Sequence, residues 1–134
     1  MLSITTGDIR LFLHVLGATV WVGGQIIFSA LVPVLRRLGN DVLKPVARQL
    51  TGILWIGFAL LIATGIWNLC AVDLGAQSQA YKATLYVKLA IVASSGVAAW
   101  IHTRVASARA RALWGATTGV TALAALLLGV VLAG

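Results

Sequence analysis

His14 and Lys88 are ionisable side chains that lie inside apolar stretches long enough to cross a membrane. Such residues are costly in lipid, and by default they indicate a functional site. A neutral imidazole binds haem iron, copper or zinc. A neutral lysine amine can ligate a metal or transfer a proton, whereas a charged ammonium can hold a propionate or another anion. His14 and Lys88 are therefore predicted to be metal ligands.

The composition is that of an integral membrane protein. Of the 134 residues, 60% are hydrophobic and 10% are charged, and a spanning helix needs about 20 apolar residues. The chain therefore has room for four crossings joined by short loops. Its net charge of +7 comes from basic residues beside apolar stretches, where anionic lipid is the natural partner. Nucleic-acid binding is not expected.

Four apolar stretches predict an all-α fold, an integral membrane four-helix bundle that forms one domain over residues 1–134. The predicted spans are about 9–35, 46–72, 81–105 and 113–133. The first span is expected to end after Pro33, because proline and the Gly39-Asn40 pair interrupt helices. Basic residues concentrate after spans one and three, which predicts that both termini lie outside the plasma (inner) membrane. These residues are Arg36, Arg37, Lys44, Arg48, Arg104, Arg109 and Arg111.

His14 and Lys88 are predicted to lie at matching depths, because the first and third spans run in the same direction. His14 follows Ile9 by five residues and Lys88 follows Tyr81 by seven. At about 1.5 Å per residue, both lie roughly 8 to 10 Å below the outer boundary. The residues expected to shape a ligand pocket at or near this level are Trp21, Gln25, Asn68 and Thr84.

A structural interpretation of these side chains stays open at this point. A lysine can extend its ammonium to water, and a histidine can hydrogen-bond a neighbouring carbonyl. His102, near the end of the third span, is predicted to be such an interfacial hydrogen-bonding residue. Cys70 is expected to be a small buried apolar group. The Gly115/Gly119 spacing predicts helix packing, either within the bundle or at a dimer face.

Three short segments resemble the copper resistance protein D family. Its first helix has a histidine before a Trp-x-Gly-Gly, its second has a Thr-Gly, and its third has a Tyr-x3-Leu-x2-Lys-Leu pattern. The first and third positions also resemble the histidine and lysine of the membrane protoporphyrinogen oxidase family, four-helix proteins thought to bind haem b. The matching residues are His14, Trp21, Gly23, Gly24, Thr64, Gly65, Tyr81, Leu85, Lys88 and Leu89.

The resemblance implies a metal centre in the outer half of the bundle, with haem b as the preferred cofactor and copper as the alternative. His14 would be an axial ligand of the haem. Lys88 would be the opposite ligand, or a partner to a propionate or a substrate. The implied function is membrane redox chemistry or copper and haem handling, and a haem-dependent membrane oxidoreductase is one such activity.

Two other functions remain open from the sequence. One is copper uptake or tolerance without haem, in which a homodimer or a partner membrane or periplasmic protein completes the pathway. The other is a structural subunit of a larger membrane complex, in which His14 and Lys88 satisfy each other. Visible spectra separate haem from copper(I), because only the porphyrin absorbs strongly.

Overall fold

A computed structural model describes residues 3–134, and these residues form long helices without any strand. The four helices are Thr6–Leu38, Asn40–Ala71, Gln79–Arg104 and Ala108–Ala133, and each is long and apolar enough to cross a membrane. The all-α class and the four membrane helices of the predicted bundle are confirmed. The chain is a multi-pass membrane protein.

Large apolar side chains lie on the outer surfaces of the helices. Ile56 is 72% exposed and Leu127 is 65% exposed. Water would penalise so much uncovered apolar area, whereas lipid tails solvate it. Helices also pair most of their backbone groups internally, as a segment in lipid must.

The turn between the first two helices is shorter than the sequence predicts. The first helix continues through Pro33 to Leu38, and the second begins at Asn40 with Pro45 inside it. A proline inside a helix removes one backbone hydrogen bond, a loss that membrane helices tolerate where neighbouring groups compensate. Gly39 makes the turn with a φ of 112°, a conformation that favours glycine.

The first helix contains one π-helical turn, Thr19–Gly23, between the α-helical segments Thr6–Ala18 and Gly24–Leu38. Two of its residues, Trp21 and Val22, are buried. Single π turns inside α-helices occur frequently at functional sites. The helix therefore combines an irregular turn with the residues that carry the predicted chemistry.

Two compact units divide the chain between Val72 and Asp73. In the first unit, the backbones of the first two helices lie close together at Gly17. A Cβ atom added there would lie 2.9 Å from the Leu61 backbone nitrogen and 3.0 Å from the Gly57 carbonyl oxygen. The two backbones are in direct contact, which only small residues permit.

In the second unit, polar groups join the third and fourth helices. The Ser95 hydroxyl donates to the Thr118 carbonyl oxygen at 3.3 Å, and Ser95 is 1% exposed. Near the turn between these helices, His102 Nδ1 donates to the Arg111 carbonyl oxygen at 2.7 Å. The third and fourth helices are therefore joined by hydrogen bonds at the middle of the pair and near the turn that connects them.

Candidate metal-binding site

His14 and Thr64 form a hydrogen bond between the first and second helices. The distance from His14 Nδ1 to Thr64 Oγ1 is 2.9 Å. His14 is half-buried, while Thr64 is only 3% exposed. The imidazole therefore has a defined polar partner inside the first unit.

The direction of this hydrogen bond follows from the other contacts of Thr64. Its hydroxyl lies 2.7 Å from the Leu60 carbonyl oxygen and 3.2 Å from the Leu61 carbonyl oxygen. Two oxygens at 2.7 Å need a hydrogen between them, and the carbonyl has none to give. The single hydroxyl proton therefore points into its own helix, and Thr64 Oγ1 accepts from His14 Nδ1–H. In the neutral ring, the basic lone pair is then on Nε2.

Small residues bring the His14 ring close to the second helix. A Cβ atom added to Gly65 would lie 3.6 Å from His14 Cε1, an ordinary van der Waals distance. Gly17, about one turn after His14, is the point at which the two backbones meet. The position of the imidazole thus depends on close packing of the first helix against the second.

Trp21 belongs to an aromatic cluster within the first unit. Its ring centroid lies 4.5 Å from that of Phe58 and 5.7 Å from that of Trp55, and Trp55 and Phe58 meet edge to face at 5.6 Å. These spacings are in the favourable range for aromatic pairs. Trp21 was predicted to shape a pocket, and it forms a buried apolar wall about two turns beyond His14.

Two polar nitrogens of the first helix are buried without a hydrogen-bond partner. They are Arg10 Nε and Gln25 Nε2. Gln25 was predicted to be a pocket residue, whereas Arg10 was assigned no role at the site. The sequence signal for Arg10 is its spacing, because it precedes His14 by four residues and such pairs share a helix face.

The predicted pocket residues Asn68 and Thr84 lie in different units. Asn68 is half-buried, one turn after Thr64 on the second helix. Thr84, in the third helix, donates its hydroxyl proton to the Ala80 carbonyl oxygen at 3.0 Å. Thr84 can therefore accept a hydrogen bond from a ligand but has no proton left to donate.

Lys88 lies in the second unit and reaches the fourth helix. A Cβ atom added to Gly129 would lie 3.2 Å from Lys88 Nζ, so the glycine makes room for the amine. Lys88 is half-buried. Its role as a metal ligand or an anion partner stays a prediction from the sequence.

The sequence predictions for residues outside the candidate metal site have mixed outcomes. His102 is an interfacial hydrogen-bonding residue, as predicted, because it donates to the Arg111 carbonyl oxygen. The prediction for Cys70 was wrong, since its side chain is exposed. It lies near the end of a helix whose outer surface is apolar, where lipid can solvate it. Gly115 packs against the His102 ring, but a Cβ atom at Gly119 would meet nothing within 4 Å.

The described residues, 3–134, contain no group of three or more His, Cys, Asp or Glu side chains that could hold a metal ion. Comparisons with protein-family profiles, curated proteins and solved structures find no match to the chain. The family resemblance therefore rests on the short motifs around His14, Thr64 and Lys88.

Proposed function

We propose that this chain is a plasma-membrane protein that binds haem b through His14 and serves membrane redox chemistry or copper and haem handling. The His14–Thr64 hydrogen bond carries the proposal. Metal-ligating histidines almost always donate their other ring N–H to an oxygen, which fixes the tautomer and the ring orientation. The Nδ1 atom of His14 donates to Thr64 Oγ1 at 2.9 Å, so Nε2 would be the metal-binding nitrogen.

The donor set fits a porphyrin better than a bare metal ion. A porphyrin brings its own ring nitrogens, so one or two side chains are enough to hold the iron. Copper(I) prefers thiolate and thioether ligands, and the chain has one cysteine and one methionine. No three-ligand group is available among residues 3–134 for a metal held by side chains alone.

The residues of the first unit have distinct tasks in this proposal. His14 would hold the haem iron through Nε2, and Thr64 would keep the ring in place. The aromatic cluster of Trp21, Trp55 and Phe58 excludes water from the neighbouring part of the helix pair. A bound haem would supply one-electron chemistry, which is the basis for a membrane oxidoreductase as the activity class.

The test is the visible spectrum of the protein purified in mild detergent from haem-replete cells. We expect a Soret band and, after reduction, sharp α and β bands, with haem at one equivalent per chain or a simple fraction of it. The His102→Ala variant serves as the matched control, because it removes the other histidine. Colourless wild-type protein that retains no porphyrin after reconstitution would refute the proposal and favour copper handling.

Replacement of Thr64 by valine is expected to weaken haem binding by roughly 10- to 100-fold, the usual cost of losing the partner of a ligating histidine. Valine keeps the side-chain shape but leaves His14 Nδ1–H without an acceptor. Thr64→Ser is expected to restore most of the affinity, and Thr118→Val, at another buried threonine, is expected to change nothing. Haem titrations in detergent measure these affinities. Equal affinities for Thr64→Val and the wild type would contradict the assigned role of Thr64.

A further inference from the structure

We propose that Arg10 is an oxyanion-binding residue that pairs with a carboxylate of the ligand held by His14. This inference rests on the proposed function and extends it to a second contact on the same helix. It also states the ligand class: a porphyrin with free propionate groups, as opposed to an uncharged macrocycle or an esterified one.

The first step of the inference is the state of the Arg10 side chain. Its Nε atom is buried and has no hydrogen-bond partner, although the residue as a whole is half-buried. An arginine is always charged, and an unsatisfied guanidinium nitrogen away from water is costly. We therefore expect a ligand to supply a hydrogen-bond partner for Arg10 Nε. The forked guanidinium group matches an oxyanion best.

The second step is that the neighbouring acid, Asp8, is not placed to be that partner, because residues two apart on a helix do not face each other. The Asp8 carboxylate accepts from the Thr5 backbone nitrogen at 2.8 Å and from the Thr5 hydroxyl at 2.6 Å. The Thr5 hydroxyl in turn caps the Asp8 backbone N–H. This reciprocal pair forms a capping box at the start of the first helix, so Asp8 has a local role and Arg10 remains available.

The third step is the placement of Arg10 relative to His14. The two residues are four apart on one α-helical segment, Thr6–Ala18. They share a face and are about one turn, or ~6 Å, apart along the axis. A porphyrin ligated at its centre by His14 would carry its propionates at its edge. A propionate directed toward the N-terminal end of the helix would come near Arg10, and the positive end of the helix dipole would favour it there.

Two oxyanions share this chemistry, a ligand carboxylate and a lipid phosphate, and the experiment distinguishes them. Wild type, Arg10→Gln and Arg10→Lys are reconstituted in phosphatidylcholine nanodiscs and titrated with iron protoporphyrin IX and with its dimethyl ester. Lys44→Gln is the control, since it removes an exposed positive charge from the second helix of the same unit. Circular dichroism and thermal unfolding verify that each variant is folded.

We expect the wild type to bind the free acid about 10- to 100-fold more tightly than the ester, the range of one or more charge-assisted hydrogen bonds. In Arg10→Gln the ratio of the affinity for the free acid to the affinity for the ester falls toward one, while the affinity for the ester is retained. Arg10→Lys keeps part of the preference for the free acid over the ester, and Lys44→Gln keeps all of that preference. An unchanged ratio in Arg10→Gln overturns the inference.

The alternative partner, a lipid phosphate, is tested by measuring how much phosphatidylglycerol raises the unfolding temperature of each variant. We expect the same stabilisation in wild type and Arg10→Gln. If the stabilisation disappears in Arg10→Gln while the acid-to-ester ratio is unchanged, the partner is a lipid phosphate and the inference is overturned. Failure of the proposed function looks different, because a protein without a haem site binds neither porphyrin with a histidine-ligated spectrum.

Discussion

His14→Gly is expected to lose haem affinity by more than about 100-fold, because even a change in the partner of a ligating histidine costs 10- to 100-fold. Millimolar imidazole is expected to restore the histidine-ligated spectrum. The free imidazole can enter the space left by the side chain and donate its N–H to Thr64 Oγ1, which accepts from His14 Nδ1 at 2.9 Å in the native protein. Visible titrations with and without imidazole measure both effects.

The rescue also tests the contribution of the hydrogen bond to Thr64. In the double variant His14→Gly/Thr64→Val, imidazole has no acceptor at this position and is expected to rescue more weakly. His102→Gly is the matched control, because it removes an imidazole that donates to the Arg111 carbonyl oxygen in the other unit. Wild-type haem spectra in His14→Gly without imidazole would show that another residue ligates the iron.

Gly17→Ala is expected to lower the free energy of unfolding of the first helix pair by about 1–3 kcal/mol, the usual range for overpacking. The added methyl would lie 2.9 Å from the Leu61 nitrogen and 3.0 Å from the Gly57 carbonyl oxygen. Both are backbone atoms and cannot rotate away, so the helices must separate. Because His14 and Thr64 bridge these helices, haem affinity is expected to fall as well. Denaturant titration in mixed micelles measures the stability.

Gly52→Ala is the control for this substitution. Gly52 lies in the second helix of the same unit, and a Cβ atom added there would meet nothing within 4 Å. Alanine is the better helix former by up to about 1 kcal/mol, so this variant is expected to be as stable as the wild type or slightly more stable. Equal destabilisation by both substitutions would mean that steric contact at Gly17 is not the cause.

The four helices were predictable from the sequence because hydrophobicity and length decide them. Apolar stretches of this length have few alternatives to the helix in lipid, and the structure forms a long helix at each of the four stretches. The first turn was harder to predict. Pro33 and the Gly39-Asn40 pair suggested a loop of several residues, but Pro33 and Pro45 both lie inside helices and Gly39 alone makes the break. Proline does not end the helix here, because one lost hydrogen bond costs less than a stretch of backbone without hydrogen-bond partners in a membrane.

The site was only partly predictable. His14 and the Thr64-Gly65 pair could be identified from residue type and from resemblance. Their hydrogen bond could not, because it depends on the rotation and separation of two helices. Those are set by the contact of Gly17 with the backbone of the second helix. Arg10 was missed for a similar reason, since a basic residue near a span end usually reaches water and only the structure shows its Nε buried without a partner.

The π-helical turn at Thr19–Gly23 has a consequence for comparing this chain with its relatives. A π turn holds one residue more than the α-helical turn it replaces, so it behaves as a one-residue insertion inside a membrane span. A relative that lacks this residue would keep both flanking α-helical segments, and the His14–Thr64 bond lies before the turn. The residues from Gly24 onward would keep their helix face, because the π turn absorbs the extra residue locally. A single gap at this point in an alignment would therefore be compatible with an intact site.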